Sequence, residues 1–511
     1  MSAFLSLSIT VLVALLFWKF VTSRTQCRSY PPGPKPRHLI GNLLDFPTRD
    51  VANVYIEWGK KYNSSVLHAS ALGSHVVVLN KLEDAIELFE RRGRIYSDRP
   101  DYPIQKLMSW DHNFGLMRYG EGWRYRRKIC QEYFSKDAVK NHHGVIAQKV
   151  HAMLDGLLKR PEKLDYHNKM LSVSIPMKTM YGYDVESIDD PCVTSADKSV
   201  TLGAPLFLPG ESFINVFPVL ASIPAWFPGA SSHKVAAEVK RLTDEVIRVP
   251  MEWAKMRMVE GTAVPSLVTN FLEKKNKIGA STQEERAIED IAYTVYGAAS
   301  DTTISVLGSF FYLMAVNPGV QAKAQREIDR VVGMDRLPDF SDRGTIPYLE
   351  AIYREVLRCR PPLHMGMPHS LTEDDYFKDF LIPKGGSFLS LTAMTHDESV
   401  YPEPFAFKPE RFFDKNGDLN DDDRILAYGF GRRQCCVGKY ISSATLWLAF
   451  TSILATFDIG KARDESGKEI AISDEYEDFG FLSHKKHFEC SITPRSRGHL
   501  QLIERANVLN K

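Results

Sequence analysis

Tyr428-Gly429-Phe430-Gly431-Arg432-Arg433-Gln434-Cys435-Cys436-Val437-Gly438-Lys439-Tyr440-Ile441-Ser442 is the stretch on which the reading of the chain turns. A loop carrying glycines and arginines runs into adjacent cysteines, and a helical pattern opens after Gly438 and continues through Leu446 and Trp447. A thiolate stays ionised when backbone N–H groups, the positive end of a helix and nearby cations surround it. Gly438 lets the backbone come close to something large and flat, and Arg432 and Arg433 suit carboxylates. These parts fit a heme whose iron takes a cysteine thiolate, with an arginine on a propionate. Taken alone they also fit a Gly/Arg-rich surface loop before a helix, so the decision rests on partners elsewhere.

The 511 residues would allow about three domains at roughly 150 residues each. Helical periodicity dominates from residue 51 onward, however, with short strand-like pieces such as 76–79 and no internal repeat or low-complexity linker. One large α-rich domain over 37–511 is therefore expected, and a composition 44% apolar and 11% aromatic is enough for its core. With 64 basic and 63 acidic side chains the net charge is +1, which leaves no electrostatic footprint for nucleic acid. The seven cysteines are scattered, odd in number and free of any CxxC pair, so neither a disulfide framework nor a structural zinc site is indicated.

Residues 3–18 form an apolar run followed by Lys19, with Arg24 and Arg28 beyond. It is slightly shorter than the ~20 residues of a spanning helix, and Lys19 can snorkel to lengthen it. A cleaved signal peptide is the rival, but basic charge follows the run and no Ala-x-Ala site is obvious. We expect a membrane anchor at 1–22, with the rest of the chain in the cytosol by the positive-inside rule. Residues 23–36 are basic and Pro-rich, and Pro31-Pro32-Gly33-Pro34-Lys35-Pro36 reads as a stiff, extended hinge. Residues 202–230 carry only one charge, Glu211, but prolines 205, 209, 218, 224 and 228 exclude a straight spanning helix. That stretch dips into a bilayer surface, covers an apolar pocket or simply packs in the core.

Trp123 and Arg127 stand at i and i+4 on one helical face, where both can reach a propionate, although solvated arginines at such spacing are common. The run 291–316 has Asp301 as its only charge and is long enough to span a membrane. The cluster Gly297, Ser300, Asp301, Thr302, Thr303 at its middle instead favours a buried central helix with a functional acid. A Thr hydroxyl there competes for the i−4 carbonyl, and Ala298-Ala299 keeps the helix slim beside a flat cofactor. Glu355 and Arg358 share a face at i, i+3, among Ile352, Val356 and Leu357, and Arg411 lies in the Pro- and Phe-rich turn 407–412. If the three meet inside, one carboxylate bridges two guanidiniums.

Together these stretches resemble the cytochrome P-450 family of heme-thiolate monooxygenases, microsomal fungal type. The order is anchor, hinge, Trp123…Arg127, Ala298-Ala299-Ser300-Asp301-Thr302-Thr303, Glu355…Arg358, Pro409-Glu410-Arg411-Phe412, then the cysteine loop. His396-Asp397 and Tyr401-Pro402 are similar to the same members. The resemblance implies a mainly α fold with small β-sheets (α+β), preceded by one N-terminal transmembrane helix. It implies heme b (iron protoporphyrin IX) as cofactor, with Trp123, Arg127, Arg433 and Gly438 binding it, and Asp301 and Thr302 as catalytic proton carriers. Glu355, Arg358 and Arg411 become the structural network.

The resemblance also implies insertion of one oxygen atom from O2 into a small lipophilic substrate, such as a terpenoid or another secondary metabolite. Electrons then come from NADPH through NADPH-cytochrome P-450 reductase at the endoplasmic reticulum membrane. Arg126, Lys128, Arg432 and Lys439 are the cations placed to meet that reductase. The substrate pocket falls at 102–116, 202–226, around Ala299, at 363–367 and near Phe481, with Asp101, Asp111 and His364 as polar contacts.

Three departures from the family pattern stand out. Ala299 replaces a glycine and Tyr428 a phenylalanine, both mild. The third is the doubled cysteine: counting forward from Gly431 and Arg433 the iron ligand is Cys435, and counting back from Gly438 it is Cys436. The reading favours Cys436, because Gly438 then keeps its place two residues after the sulfur. An alternative function follows from the insertion, a heme-binding P-450-like protein with non-redox or impaired activity because its sulfur is misplaced.

Overall fold

A computed structural model describes residues 29–47, 50–207, 211–433, 436–479 and 482–509. The expected anchor at 1–22, Cys435 and Phe481 lie outside the described residues. The helices that position the site are α1 (Glu121–Tyr133), α2 (Leu164–Tyr181), α3 (Pro191–Gly203), α4 (Ser231–Val259), α5 (Thr282–Val316), α6 (Pro347–Cys359) and α7 (Lys439–Thr456). The strands are β1 (Val66–Ala71), β2 (Ser74–Leu79), β3 (His369–Leu371), β4 (Asp375–Phe377), β5 (Phe380–Ile382), β6 (Gly385–Leu389), β7 (Phe457–Lys461), β8 (Tyr476–Phe479), β9 (Leu482–Lys485) and β10 (Cys490–Pro494).

Helix α5 is specified at both ends by local chemistry. The Ser281 hydroxyl accepts the Glu284 N–H at 3.1 Å, and Glu284 and Glu285 lie in the positive first turn. Pro318 stops the helix, since the residue before a proline is pushed off helical angles, and Asn317 sits at φ −125°, ψ 65°. The run is apolar and long enough to cross a membrane, but it is a core helix. Val306, Leu307, Phe310, Phe311 and Met314 are buried, each worth roughly 1.5–3 kcal/mol. Phe310 stacks on Phe450 of α7 with centroids 3.9 Å apart, so the two helices share one core.

The main sheet has the order β1-β2-β6-β3, with β2 and β6 parallel and the other pairs antiparallel. Two-stranded pairs β4–β5, β7–β10 and β8–β9 complete the β structure. A second core beside the main sheet gathers Phe89, Tyr96, Leu371 and Phe430, which ties the cysteine loop to the sheet.

The described part of the Pro-rich segment is docked onto the sheet. His68 N–H donates to Pro32 O at 3.1 Å, and Leu381 N–H to Ser29 O at 2.8 Å. A Cβ on Gly33 would lie 1.9 Å from His68 O, so only glycine permits this approach. Among the described residues between α3 and α4, short 3₁₀ turns form at Ala204–Phe207, Phe213–Asn215 and Pro218–Ser222. Leu206, Phe207 and Ile214 pack inward with Trp110, while Phe213, Val219 and Trp226 are exposed, Trp226 by 78%.

Candidate active site

The floor of the site is set by a charge network. Glu355 on α6 is fully buried and accepts from Arg358 Nε at 2.6 Å and Nη2 at 2.9 Å, from Arg411 Nε at 3.1 Å and from Lys408 N–H at 2.8 Å. Arg358 also donates to Thr395 O at 2.7 Å, and Arg411 to Pro402 O at 3.0 Å. One carboxylate thus pins α6 to the 402–411 segment.

The cysteine loop leaves this floor at Tyr428, whose hydroxyl hydrogen-bonds the Tyr353 hydroxyl of α6 at 2.7 Å. Cys436 N–H donates to Tyr428 O at 3.2 Å, and Cys436 O accepts from Lys439 N–H at 2.9 Å at the start of α7. Cys436 is exposed. A Cβ on Gly438 would lie 3.7 Å from Cys436 Sγ.

Arg433, Trp123 and Arg127 converge. The Arg433 guanidinium lies 4.6 Å from the Trp123 ring centroid, and that of Arg127 lies 6.0 Å from it. Arg433 is only 8% exposed, and donates to Ser97 O at 2.8 Å and Met117 O at 2.5 Å. Its Nη1 is buried with no hydrogen-bond partner. Burial, reinforced by Arg99, pushes the Arg433 guanidinium down to about 8. Arg99 is itself buried, donating to Gly115 O at 3.1 Å and Met367 O at 3.2 Å, and burial lowers it to about 10. His369 completes the group: it is buried, its Nδ1 is 2.8 Å from Tyr96 O, and desolvation, then Arg99, hold it neutral. Asp98 nearby is engaged by Arg118 and by the Tyr119 and Arg99 N–H groups. A buried cationic cluster with a donor left over fits a ligand carrying carboxylates.

Mid-way along α5, Gly297 and Ala298 are exposed although the helix is otherwise mostly buried, and a Cβ on Gly297 would meet nothing within 4 Å. Thr302 Oγ1 donates to Ala298 O at 2.9 Å and Ser300 Oγ to Tyr296 O at 2.7 Å, so hydroxyls compete for this turn's carbonyls. Asp301 is half-buried, and desolvation holds its carboxyl above the usual carboxylate range. The slim open helix face, the cationic cluster and the glycine beside Cys436 are all features that suit a flat dianionic macrocycle.

Some expectations are corrected. Arg126 is buried and paired with Asp290 through Nη2 at 2.5 Å, so it is no surface docking charge; Lys128 and Arg432 are exposed. Asp111 lies 3.4 Å from Arg286, and Asp101 is exposed. His364 is 7% exposed, with both ring nitrogens unpartnered and Nδ1 3.8 Å from Asp478. Arg99 and His369 were not picked out from the sequence. The sole sequence signal was a histidine directly after Pro368, at the end of the segment that Arg360-Pro361-Pro362 begins.

The cytochrome P450 family model matches residues 31–491. Cytochrome P450 monooxygenase COX2 of Coprinopsis cinerea is 36% identical over 493 residues, covering 95% of this chain and 93% of the relative. Cytochrome P450 monooxygenase 208 of Postia placenta is 35% identical over 498 residues, covering 96% of each. Cytochrome P450 monooxygenase claR of Ampulloclitocybe clavipes is 35% identical over 482 residues, covering 93% of this chain and 88% of the relative. With its mainly helical fold, small sheets and cysteine loop before α7, this chain belongs to the cytochrome P450 family and is an oxidoreductase of the monooxygenase type.

Proposed function

We propose that this chain holds heme b through the Cys436 thiolate and inserts one oxygen atom from O2 into a small lipophilic secondary metabolite. Electrons come from NADPH through NADPH-cytochrome P-450 reductase, with residues 1–22 as a single-pass anchor in the endoplasmic reticulum and residues 37–511 facing the cytosol. The observation that carries the reading is the buried Arg433 donor with no partner, set among Trp123, Arg127, Arg99 and His369 beside the cysteine loop. The apolar side chains exposed on 213–226 support contact with a bilayer.

When bound, the heme supplies oxygen activation, with a thiolate that pushes electron density toward O–O cleavage. The chain's own residues do the rest. Arg433, Arg127 and Trp123 would hold the propionates, and the glycine at 438 would leave room for the macrocycle. Glu355, Arg358 and Arg411 fix α6, and through Tyr353 and Tyr428 the start of the loop. Asp301, kept protonated to higher pH than an ordinary carboxyl, gives a proton at its carboxyl oxygen toward the open face of α5. Thr302 carries it on through its hydroxyl. His364, buried with unsatisfied nitrogens, offers a hydrogen bond to one polar group of an otherwise apolar substrate.

The test is the reduced, CO-bound spectrum of the purified chain, followed by NADPH-dependent product formation with a microsomal reductase. A red-shifted Soret band with oxygenated product is expected. Colourless protein, or ligation through nitrogen alone, overturns the reading.

A further inference from the structure

Asp290 on α5 is buried, and its two oxygens serve different elements. Oδ2 accepts from Arg126 of α1, Nε at 2.7 Å and Nη2 at 2.5 Å. Oδ1 accepts from His112 Nδ1 at 2.6 Å and from the exposed Arg286, Nε at 3.2 Å. His112 closes a short 3₁₀ turn, Trp110–His112, in the segment 103–116. One helical turn further along α5, Thr294 Oγ1 accepts from Phe114 N–H at 3.0 Å, and a Cβ on Gly115 would lie 4.0 Å from the Thr294 methyl. The turn after that holds Gly297 and Ala298, the open face of the helix. The other side of the segment is wedged against α3 and α4. Trp110 Nε1 lies 3.3 Å from Ser199 Oγ and 3.1 Å from Thr243 Oγ1, its ring stacks on Phe207, and a Cβ on Gly203 would lie 2.6 Å from that ring. The segment thus rims the open face of α5, bonded to α3, α4 and α5.

We propose that Asp290 is a positioning residue that couples this segment to α1, so that releasing His112 loosens the grip of Trp123 and Arg127 on the propionates. This rests on the reading of those two residues as part of the propionate site. Arg126 stands between them on α1, and the Arg433 guanidinium lies 4.6 Å from the Trp123 ring centroid. An arginine prefers to meet a carboxylate with two parallel bonds, one to each oxygen. Here both Arg126 nitrogens share Oδ2, because His112 and Arg286 occupy Oδ1. When His112 leaves, Oδ1 keeps only the exposed Arg286, and the buried carboxylate recovers its lost bond by drawing the Arg126 guanidinium across both oxygens. That movement turns the part of α1 that carries Trp123 and Arg127. Asp290 therefore has two discrete arrangements, one with the segment seated and one with it released, and the heme side of the site feels which is present.

The experiment uses the full heme-loaded chain and reads two rates: binding of phenylimidazole, a bulky probe that coordinates the iron, and transfer of heme to apomyoglobin. His112→Ala is expected to speed both about tenfold, the effect of losing one hydrogen bond to a carboxylate. His112→Asn, whose side-chain amide donates in place of Nδ1, brings both rates back toward the parent. Thr294→Val loosens the segment at Phe114 while His112 stays on Asp290, so probe binding speeds and heme transfer does not. A general loss of stability would instead speed heme transfer in both His112→Ala and Thr294→Val. Heme transfer unmoved in His112→Ala, or sped equally by Thr294→Val, with the CO-bound band normal, overturns the proposal and leaves the proposed function standing. Absence of that band in the unsubstituted chain overturns the function, and this proposal with it.

Discussion

Arg358 grips Glu355 one helical turn earlier with two parallel hydrogen bonds, Nε to Oε2 at 2.6 Å and Nη2 to Oε1 at 2.9 Å, where both side chains are buried. Arg411 adds a third at 3.1 Å from a segment 56 residues away. Removing one member leaves a buried charge without its partner, at a cost of ~3–5 kcal/mol. Glu355→Ala and Arg358→Ala are expected to lose about that much stability in urea unfolding, and to be recovered with little heme. Arg358→Lys fails to rescue, because an ammonium cannot reproduce the two-pronged contact. A loss under ~1 kcal/mol, the range of an exposed pair, would show that this network is not what holds α6 in place.

Arg433 has the opposite balance, a buried cation with a donor to spare. Leaving such a donor unmade costs ~1–3 kcal/mol. Arg433→Leu relieves that cost but takes the donor from Ser97 O and Met117 O, so the two offset in the stability of heme-free protein, and the variant is expected to speed heme loss from loaded protein to apomyoglobin. A variant that keeps heme as well as the parent would remove Arg433 from the propionate site.

What the sequence made legible follows from which features are local. The central helix was read from 291–316 because one charge in an apolar run is visible without neighbours, although the helix begins earlier, at Thr282, where charged residues hide its start. Glu355, Arg358 and Arg411 were readable because i, i+3 spacing and a Pro-rich turn carry their own geometry. Arg99 and His369 were not, since burial of a lone Arg or His is a property of the packed interior. Arg126 was misjudged for the same reason: Asp290, its partner, lies 164 residues on, and no pattern in the sequence links them.

Tyr428, where the family pattern has phenylalanine, uses its hydroxyl on Tyr353 at 2.7 Å inside the core. Tyr428→Phe takes one partner from the buried Tyr353 hydroxyl, and a loss of ~1–2 kcal/mol is expected. Adding Tyr353→Phe removes both polar groups and is expected to recover most of that loss. A double-mutant cycle in urea measures the coupling, and additive losses would show that the two hydroxyls act independently.

The doubled cysteine separates cleanly by substitution. Cys436 has its N–H on Tyr428 O and Gly438 two residues on, just before α7. Cys436→Ser is expected to abolish the red-shifted CO-bound band while Cys435→Ser retains it. The reverse pattern assigns the iron to Cys435.

The docked Pro-rich segment is expected to be acid-sensitive. Tyr30 stacks on His68 and His75 with centroids 4.5 and 5.3 Å away, and the two imidazoles share a hydrogen bond at 2.9 Å, which requires an unprotonated nitrogen. Burial pushes His68 down to about 3, with His75 adding to it; burial lowers His75 too, partly offset by Asp374. Both docked values lie below the ordinary imidazole value near 6.5. The undocked form therefore binds more protons as pH falls below ~6.5, and docking, fully present above that pH, weakens progressively toward about 3. Hydrogen exchange at the His68 and Leu381 amides, which donate to the segment, corrected for the intrinsic rate, is expected to show protection at pH 7.5 that falls off by about pH 5. His68→Phe keeps an aromatic surface for Tyr30 but carries no titrating group, so its protection should hold across the same range. Equal acid sensitivity in that variant would place the trigger elsewhere.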